Sequence, residues 1–277
     1  RVAVQRGGEC CSATYNLSRA RHARLSIVRV VSVITVVLNG ERVLGRTLES
    51  IAAQRGCKIE HILIDGGSQD RTLDVLKGYS SLESRVISEP DRGPYDAMNK
   101  GLTLASGDII TFLNAGDCYR REGSVRQAVD AFESRNVDIV LGGVSIHSPG
   151  DSTCVRRVYK VDSWVPAKLL RGLAPPHPGT FYSRDILDLA GHFDASYLIA
   201  GDFELFLRLF LKHRGRCVTL DELLVNMPTG GLSMQGMRSI LRNTLEIRRA
   251  LLANGLPASW PQLLWRMPSK WLAGRPN

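Results

Sequence analysis

The amino-acid sequence predicts an α/β fold: a doubly wound, mostly parallel sheet with flanking helices and a helical extension at the C-terminal end. Three observations carry this. Short runs rich in β-branched residues alternate with helix-period segments four times between Val30 and Val144, the rhythm of a parallel sheet with crossover helices. One of these runs opens the stretch Asp108–Asp117. Ile109, Ile110, Phe112 and Leu113 make it apolar on both faces, as a strand covered by two layers must be. With 277 residues, 44% of them apolar, the chain can also bury one large core.

Taken in order, Val30–Leu38 reads as the first strand and is broken by Asn39-Gly40. Glu41–Gln54 follows with Val43, Leu44, Leu48, Ile51 and Ala52 at helical spacing. Ile59–Ile64 is the second strand, ending on Asp65-Gly66-Gly67-Ser68, and Asp70–Tyr79 the next helix. Arg85–Ser88 is a short third strand. Tyr95–Ala105 is a helix that stops at Ser106-Gly107. The central strand then ends abruptly at Asn114-Ala115-Gly116-Asp117, and Ser124–Ser134 and Val137–Val144 supply another helix and strand. After Ser145 the rhythm changes. Cys154–Lys160 alternates, Pro175-Pro176-His177-Pro178-Gly179 is rigid and irregular, and Asp202–His213 is an amphipathic helix. Arg216–Asp221 and Leu223–Asn226 read as two strand pieces. Met237–Ala253 is a helix with leucines and isoleucines on one side and Arg238, Arg242, Arg248 and Arg249 on much of the other.

The net charge of +9 sits at the two ends. Residues 1–30 carry +5 and residues 235–277 carry +6, which leaves the middle at −2. That slightly acidic middle disfavours a nucleic-acid-binding core. Residues 1–25 read as a poorly ordered basic leader without the layout of a signal peptide. The six cysteines show no zinc spacing and suggest a reduced, cytoplasmic chain. Cys118 reads as a packing residue rather than a nucleophile. Val30–Leu38, the longest apolar-like run, is far short of the roughly 20 residues a membrane span needs.

Polar groups cluster where predicted strands end. Thr35, Asn39 and Glu41 flank the first strand, Asp65 ends the second, and Asp117 follows the central one. Parallel topology brings such positions to one edge, where ligands of open α/β sheets sit. Carboxylates and amides there suit a nucleotide, and Asp117 suits a phosphate-bound cation. Helix capping is the competing structural reading for each residue alone. Neither a G-x-G-x-x-G turn nor a G-x-x-x-x-G-K-[ST] loop follows the first strand, so the usual cradles for hydride transfer and NTP hydrolysis are missing.

Four blocks occur in order: Val33-Ile34-Thr35-Val36-Val37-Leu38-Asn39; Leu63-Ile64-Asp65-Gly66-Gly67-Ser68-Gln69-Asp70; Asp96-Ala97-Met98-Asn99-Lys100-Gly101; and Phe112-Leu113-Asn114-Ala115-Gly116-Asp117. Over roughly residues 30–234 the chain resembles the family 2 glycosyltransferases of the GT-A fold, notably those building bacterial polysaccharides and glycolipids. The resemblance implies a GT-A-like domain over 26–234, with a nucleotide-sugar half at 26–144, an acceptor half at 145–234, and a basic amphipathic tail at 235–277. It implies an inverting transfer from a nucleotide-diphosphate sugar, UDP-linked by preference, with Mg²⁺ or Mn²⁺, to a saccharide or lipid-linked acceptor. Thr35, Asn39, Glu41, Asp65, Asp96, Asn99 and Asn114 would bind the nucleotide sugar, and Asp65 would accept the ring N–H of the base. Asp117 would hold the metal.

Three positions depart from the family pattern. Asn114 and Gly116 stand where relatives often have carboxylates, and Met98 stands where many have an arginine, with Lys100 the nearest replacement charge. The general base would be Asp202, in Ala200-Gly201-Asp202-Phe203-Glu204. The alternative reading there is a helix N-cap. His177 is a candidate for acceptor or phosphate contact, and Gly230-Gly231-Leu232-Ser233 a candidate lid. Three tryptophans and basic neighbours in the tail suit peripheral contact with the inner face of the plasma membrane. The runner-up function is a weak or inactive nucleotide-sugar-binding protein on the same fold. A nucleotidyltransferase ranks below it, because Asn39-Gly40-Glu41-Arg42 lacks a basic phosphate loop.

Overall fold

The computed structural model describes residues 29–79, 84–148, 151–230, 236–261 and 263. The proposed leader at 1–25, positions 231–233 of the proposed lid, and most of the second tail segment, Trp260–Trp271, lie outside the described residues.

The first half follows the predicted rhythm. β1 (Val30–Val37), β2 (Lys58–Asp65), β3 (Ser84–Ser88) and β4 (Ile109–Phe112) alternate with α1 (Leu44–Ala52), α2 (Thr72–Lys77) and α3 (Pro94–Leu104). These four strands pair in parallel in the order β3-β2-β1-β4. The alternation of side chains explains why both faces of β4 are apolar. Ile110 and Phe112 enter the core shared with α3, while Ile109 and Leu113 enter the one shared with α4 (Ser124–Ser134).

The second half departs from simple winding. A two-residue strand β5 (Cys118–Tyr119) follows the central turn, and β6 (Ile139–Ser148) runs on into β7 (Asp151–Tyr159). β8 (Thr180–Ser183) lies between β4 and β6, antiparallel to both. β9 (Cys217–Pro228) is one strand rather than two pieces. Its register against β6 shifts around Gly143, so the irregularity at Asp221–Glu222 is a bulge and not a break. The predicted 202–213 helix is divided into α6 (Gly201–Leu207) and a π-turn at Arg208–Lys212. The extra residue in that turn still leaves Phe206, Leu209 and Phe210 buried in one core. α5 (Arg184–Ala190) and α7 (Gly236–Ala253) complete the layer on this side. Among the described residues no helix is long and apolar enough to cross a membrane.

Candidate active site

The carboxyl edge of β1, β2 and β4 is built from loops that bind one another. Val37 and Asp65 are register partners, so the two strands end together. Asn39 adopts a left-handed φ of 51°. This turns its side chain onto the loop after β2, where Oδ1 accepts the amide of Gln69 at 2.9 Å while its own amide donates to Ser68 Oγ at 2.7 Å. Glu41 continues the seam. Its amide donates to Asp70 at 3.1 Å, and its carboxylate accepts the amide of Arg71 at 3.1 Å. Asp65 is fully buried in this knot, accepting from Ser68 Oγ, the Ser68 amide at 3.1 Å and Ser88 Oγ at 2.6 Å. A base N–H at Asp65 would therefore share its oxygens with two serines. Thr35 lies deeper, fully buried, with its hydroxyl 3.1 Å from His61 Nε2. Burial holds His61 down to about 4, so its imidazole is neutral at pH 7.

The central turn lies beside the end of β1. Ala115 donates to Val36 O at 3.2 Å, and the Gly116 amide donates to Thr47 Oγ1 of α1 at 2.9 Å. Gly116 takes a φ of 101°, a conformation open to glycine at little cost. This permits the turn to double back so that Asp117 donates its amide to Asn114 O at 3.0 Å. The Asp117 side chain ends up buried, and burial raises its carboxyl from 3.8 to about 8. Asn114 Oδ1 is likewise buried without a hydrogen-bond partner. A hard divalent cation suits such a pair of oxygen donors and would draw the carboxyl pKa back down. Among the described residues no three His, Cys, Asp or Glu side chains gather as a complete cage. A cation held here would take further ligands from phosphate and water, the usual arrangement for Mg²⁺. Cys118 beside it is pushed up by burial, which suits a packing thiol and not a nucleophile.

α3 links the two halves. Asn99 brackets the backbone of Phe193, accepting from its amide and donating to its carbonyl, both at 2.9 Å. Asp96 binds Arg92 through Nη2 at 2.8 Å and through the amide at 3.0 Å, and this holds its carboxyl low. Lys100 is engaged with Glu89 at 2.9 Å and Pro90 O at 3.0 Å, so its ammonium is directed to that loop.

Sequence reasoning passed over Tyr95, although it adjoins the third block. Its buried hydroxyl donates to Ile199 O at 2.7 Å and lies 3.4 Å from Asp202 Oδ1. Gly201 permits this approach, because a Cβ there would come within 2.7 Å of the Tyr95 ring. Asp202 does not cap α6: the N-cap is Ala200, which has no side-chain bond to give. Asp202 is half-buried in the first turn, where Oδ1 accepts the amide of Phe203 at 2.7 Å. Glu204 is committed to a buried ion pair with Arg208 at 2.8 Å. His177 is walled in by the rings of Phe112, Tyr182, Phe193 and Phe206, with centroids 5.1–6.2 Å away. Burial lowers it to about 4, and its Nε2 has no hydrogen-bond partner. That neutral, enclosed ring is packed as a core residue.

The first, second and fourth blocks are thus brought to adjoining loops, the third lies on α3, and Tyr95 of α3 reaches Asp202. The profile of the family described as Glycosyl transferase family 2 matches residues 32–210. An uncharacterized glycosyltransferase of Mycobacterium tuberculosis is 36% identical over 186 residues, covering 65% of this chain and 69% of its own. A PGL/p-HBAD biosynthesis glycosyltransferase of Mycobacterium bovis is 32% identical over 188 residues, with the same coverage. Among solved structures, S. aureus TarS 1-349 in complex with UDP superposes with a TM-score of 0.60 at 19% identity, covering 80% of this chain and 65% of that one, so this chain spans less than two thirds of its length. The mannosyltransferase PcManGT from Pyrobaculum calidifontis, in complex with GDP-Man and Mn²⁺, gives 0.60 at 18% identity, covering 90% of this chain and 81% of that one. Those structural likenesses establish a shared GT-A architecture; the match over 32–210 and the relatives above 30% identity establish more, that this chain belongs to glycosyl transferase family 2.

Proposed function

We propose that this chain transfers a sugar from a nucleotide-diphosphate donor to a saccharide or lipid-linked acceptor with inversion at the anomeric carbon. Asp202 is the general base. One observation carries the reading: Tyr95, in the helix that follows the nucleotide-edge loops, touches both Asp202 and the backbone just before it. That contact supports a base on α6 held against α3, the helix that follows the loops that would hold the donor. The acceptor hydroxyl attacks the anomeric carbon from the face opposite the leaving group. Its proton passes to the Asp202 carboxylate, the bond from anomeric carbon to phosphate oxygen breaks, and the nucleoside diphosphate departs with the electron pair. Asn39, Glu41 and Asp65 would line the nucleoside, with Asp96 and Asn99 shaping the α3 side. Asp117 and Asn114 would hold Mg²⁺ or Mn²⁺, which when bound supplies positive charge to the departing diphosphate.

TarS bound to UDP and PcManGT bound to GDP-Man and Mn²⁺ support a nucleotide-sugar donor and a cation. The test is nucleotide release from UDP-glucose, UDP-GlcNAc and GDP-mannose with Mn²⁺, water taking the sugar in place of the acceptor. Turnover of at least one donor is expected. Tight UDP binding with no turnover of any of them would favour the non-catalytic reading, which Asn114 and Gly116, standing where relatives often have carboxylates, motivate.

The membrane contact of the tail is a proposal of the same kind. On α7, Met237, Leu241, Leu245 and Leu252 are exposed beside the exposed Arg238 and Arg242, a pairing suited to an anionic lipid surface. Flotation with anionic liposomes is expected to carry the protein, and Leu241→Glu/Leu245→Glu to release it. Equal flotation of the double variant would exclude this face.

A further inference from the structure

α7 lies beyond the residues that match the family, yet it grips the segment that leads into Asp202. Three consecutive backbone amides converge on one carboxylate. Leu198 donates to Glu246 at 3.2 Å, Ile199 at 2.8 Å and Ala200 at 2.9 Å, the last two on the same oxygen, Oε2. Ala200 is the N-cap residue of α6 and has no side chain with which to satisfy donors there. Without an outside acceptor, these part-buried amides would be left to find partners by moving.

The same segment is held from its other side by α3, through Tyr95 Oη on Ile199 O at 2.7 Å and Asn99 on Phe193. Arg249, one turn of helix from Glu246, adds a second hold. Its guanidinium covers the Tyr197 ring at 4.3 Å and pairs with Asp194 at 3.6 Å. Ile199 is the residue at which the two grips meet: its carbonyl is bound to α3 and its amide to α7. Asp202 follows three positions later.

We propose that Glu246 is a positioning residue for the sugar transfer, fixing the 198–200 backbone from the tail helix so that Asp202 is presented at the distance its proton transfer requires. This rests on the reading of Asp202 as the base. A carboxylate suits the task because it is an acceptor only, and it can receive several amides at once. The isosteric amide keeps one acceptor oxygen and turns a donor toward backbone donors.

The test uses the full chain as Glu246→Gln and Glu246→Asp, with Asp202→Asn alongside. The probe is nucleotide release from whichever of UDP-glucose, UDP-GlcNAc and GDP-mannose the wild type cleaves fastest. Glu246→Gln is expected to lower kcat by about 10- to 100-fold, the scale of a misplaced catalytic group. Donor KM and UDP affinity should stay within about twofold, because Asn39, Glu41 and Asp65 are held by bonds within the loops after β1 and β2, whereas Glu246 binds the 198–200 backbone. Glu246→Asp, which keeps the charge, should recover part of the loss. Amide hydrogen exchange over 198–203 should rise in Glu246→Gln, and exchange over the β1 and β2 loops should not. Wild-type kcat in Glu246→Gln beside an inactive Asp202→Asn would overturn the positioning role while leaving the base in place. Wild-type turnover in Asp202→Asn would instead reject the base. Unchanged exchange at 198–203, or a fall in UDP affinity in step with kcat, would also count against positioning.

Discussion

Asp202→Asn is expected to lower donor turnover by roughly 10²- to 10⁴-fold, the usual contribution of a positioned general base. The substitution is nearly isosteric. The amide oxygen can still accept from the Phe203 amide, now at 2.7 Å, so the first turn of α6 should survive. The group loses its ability to take the acceptor's proton. UDP affinity should stay within about twofold, because Asn39, Glu41 and Asp65 belong to the loops after β1 and β2 and not to α6. Nucleotide release and calorimetric UDP binding, measured on the same preparation, separate the two. Unchanged turnover would remove Asp202 from the mechanism.

Asp117→Asn should have opposite effects on stability and on activity. The Asp117 carboxyl is raised from 3.8 to about 8 by burial, so the folded protein retains a proton that the unfolded chain gives up. The stability due to that protonated form is complete below about pH 4 and is lost as pH rises through about 8. Asparagine imitates the protonated carboxyl at every pH. The metal-free variant should therefore match the wild type near pH 4 and exceed it increasingly toward pH 8, by at most about 6 kcal/mol on the conversion of 1.36 kcal/mol per pKa unit. Mn²⁺ with UDP should raise the wild type selectively, by about 2.7 kcal/mol at 100 times the dissociation constant, which narrows the variant's lead at pH 8 and reverses the ranking only toward the acid end of the range. Turnover in the variant should fall about 10²- to 10³-fold, the scale for losing one electrostatic stabiliser of a leaving group. Thermal midpoints from pH 5 to 9, with and without Mn²⁺ and UDP, check the sign. A variant less stable than the wild type at pH 8 without metal would contradict the burial argument.

Much of the first half was legible because its signals are local. The alternation of Ile109, Ile110, Phe112 and Leu113 marks a strand covered on both faces, and the turns after β1, β2 and β4 follow from Asn39-Gly40, Asp65-Gly66 and Asn114–Asp117. The second half was less legible because its structure depends on partners distant in sequence. β8 is four residues long and is made a strand by pairing with both β4 and β6. Thr180–Tyr182 alone reads only as extended. β9 divides in the sequence because Asp221-Glu222 interrupts its apolar pattern, whereas in the fold a register shift absorbs the interruption. The individual site residues show the same limit. The family resemblance put Asn99 among the nucleotide contacts, and its amide group spans the Phe193 backbone. His177 between prolines looked available for contact, and four aromatic rings enclose it. Glu246 gave no signal at all: one acid in a basic helix acquires a role only when three amides from 198–200 fold against it.

The most direct measurement is a crystal structure of the protein with UDP and Mn²⁺. The proposed mechanism requires the uracil beside Asp65, the cation on the Asp117 carboxylate, and the β-phosphate turned toward a space that Asp202 borders. UDP seated away from the loops that end β1, β2 and β4, or a cation bound without Asp117, would contradict it.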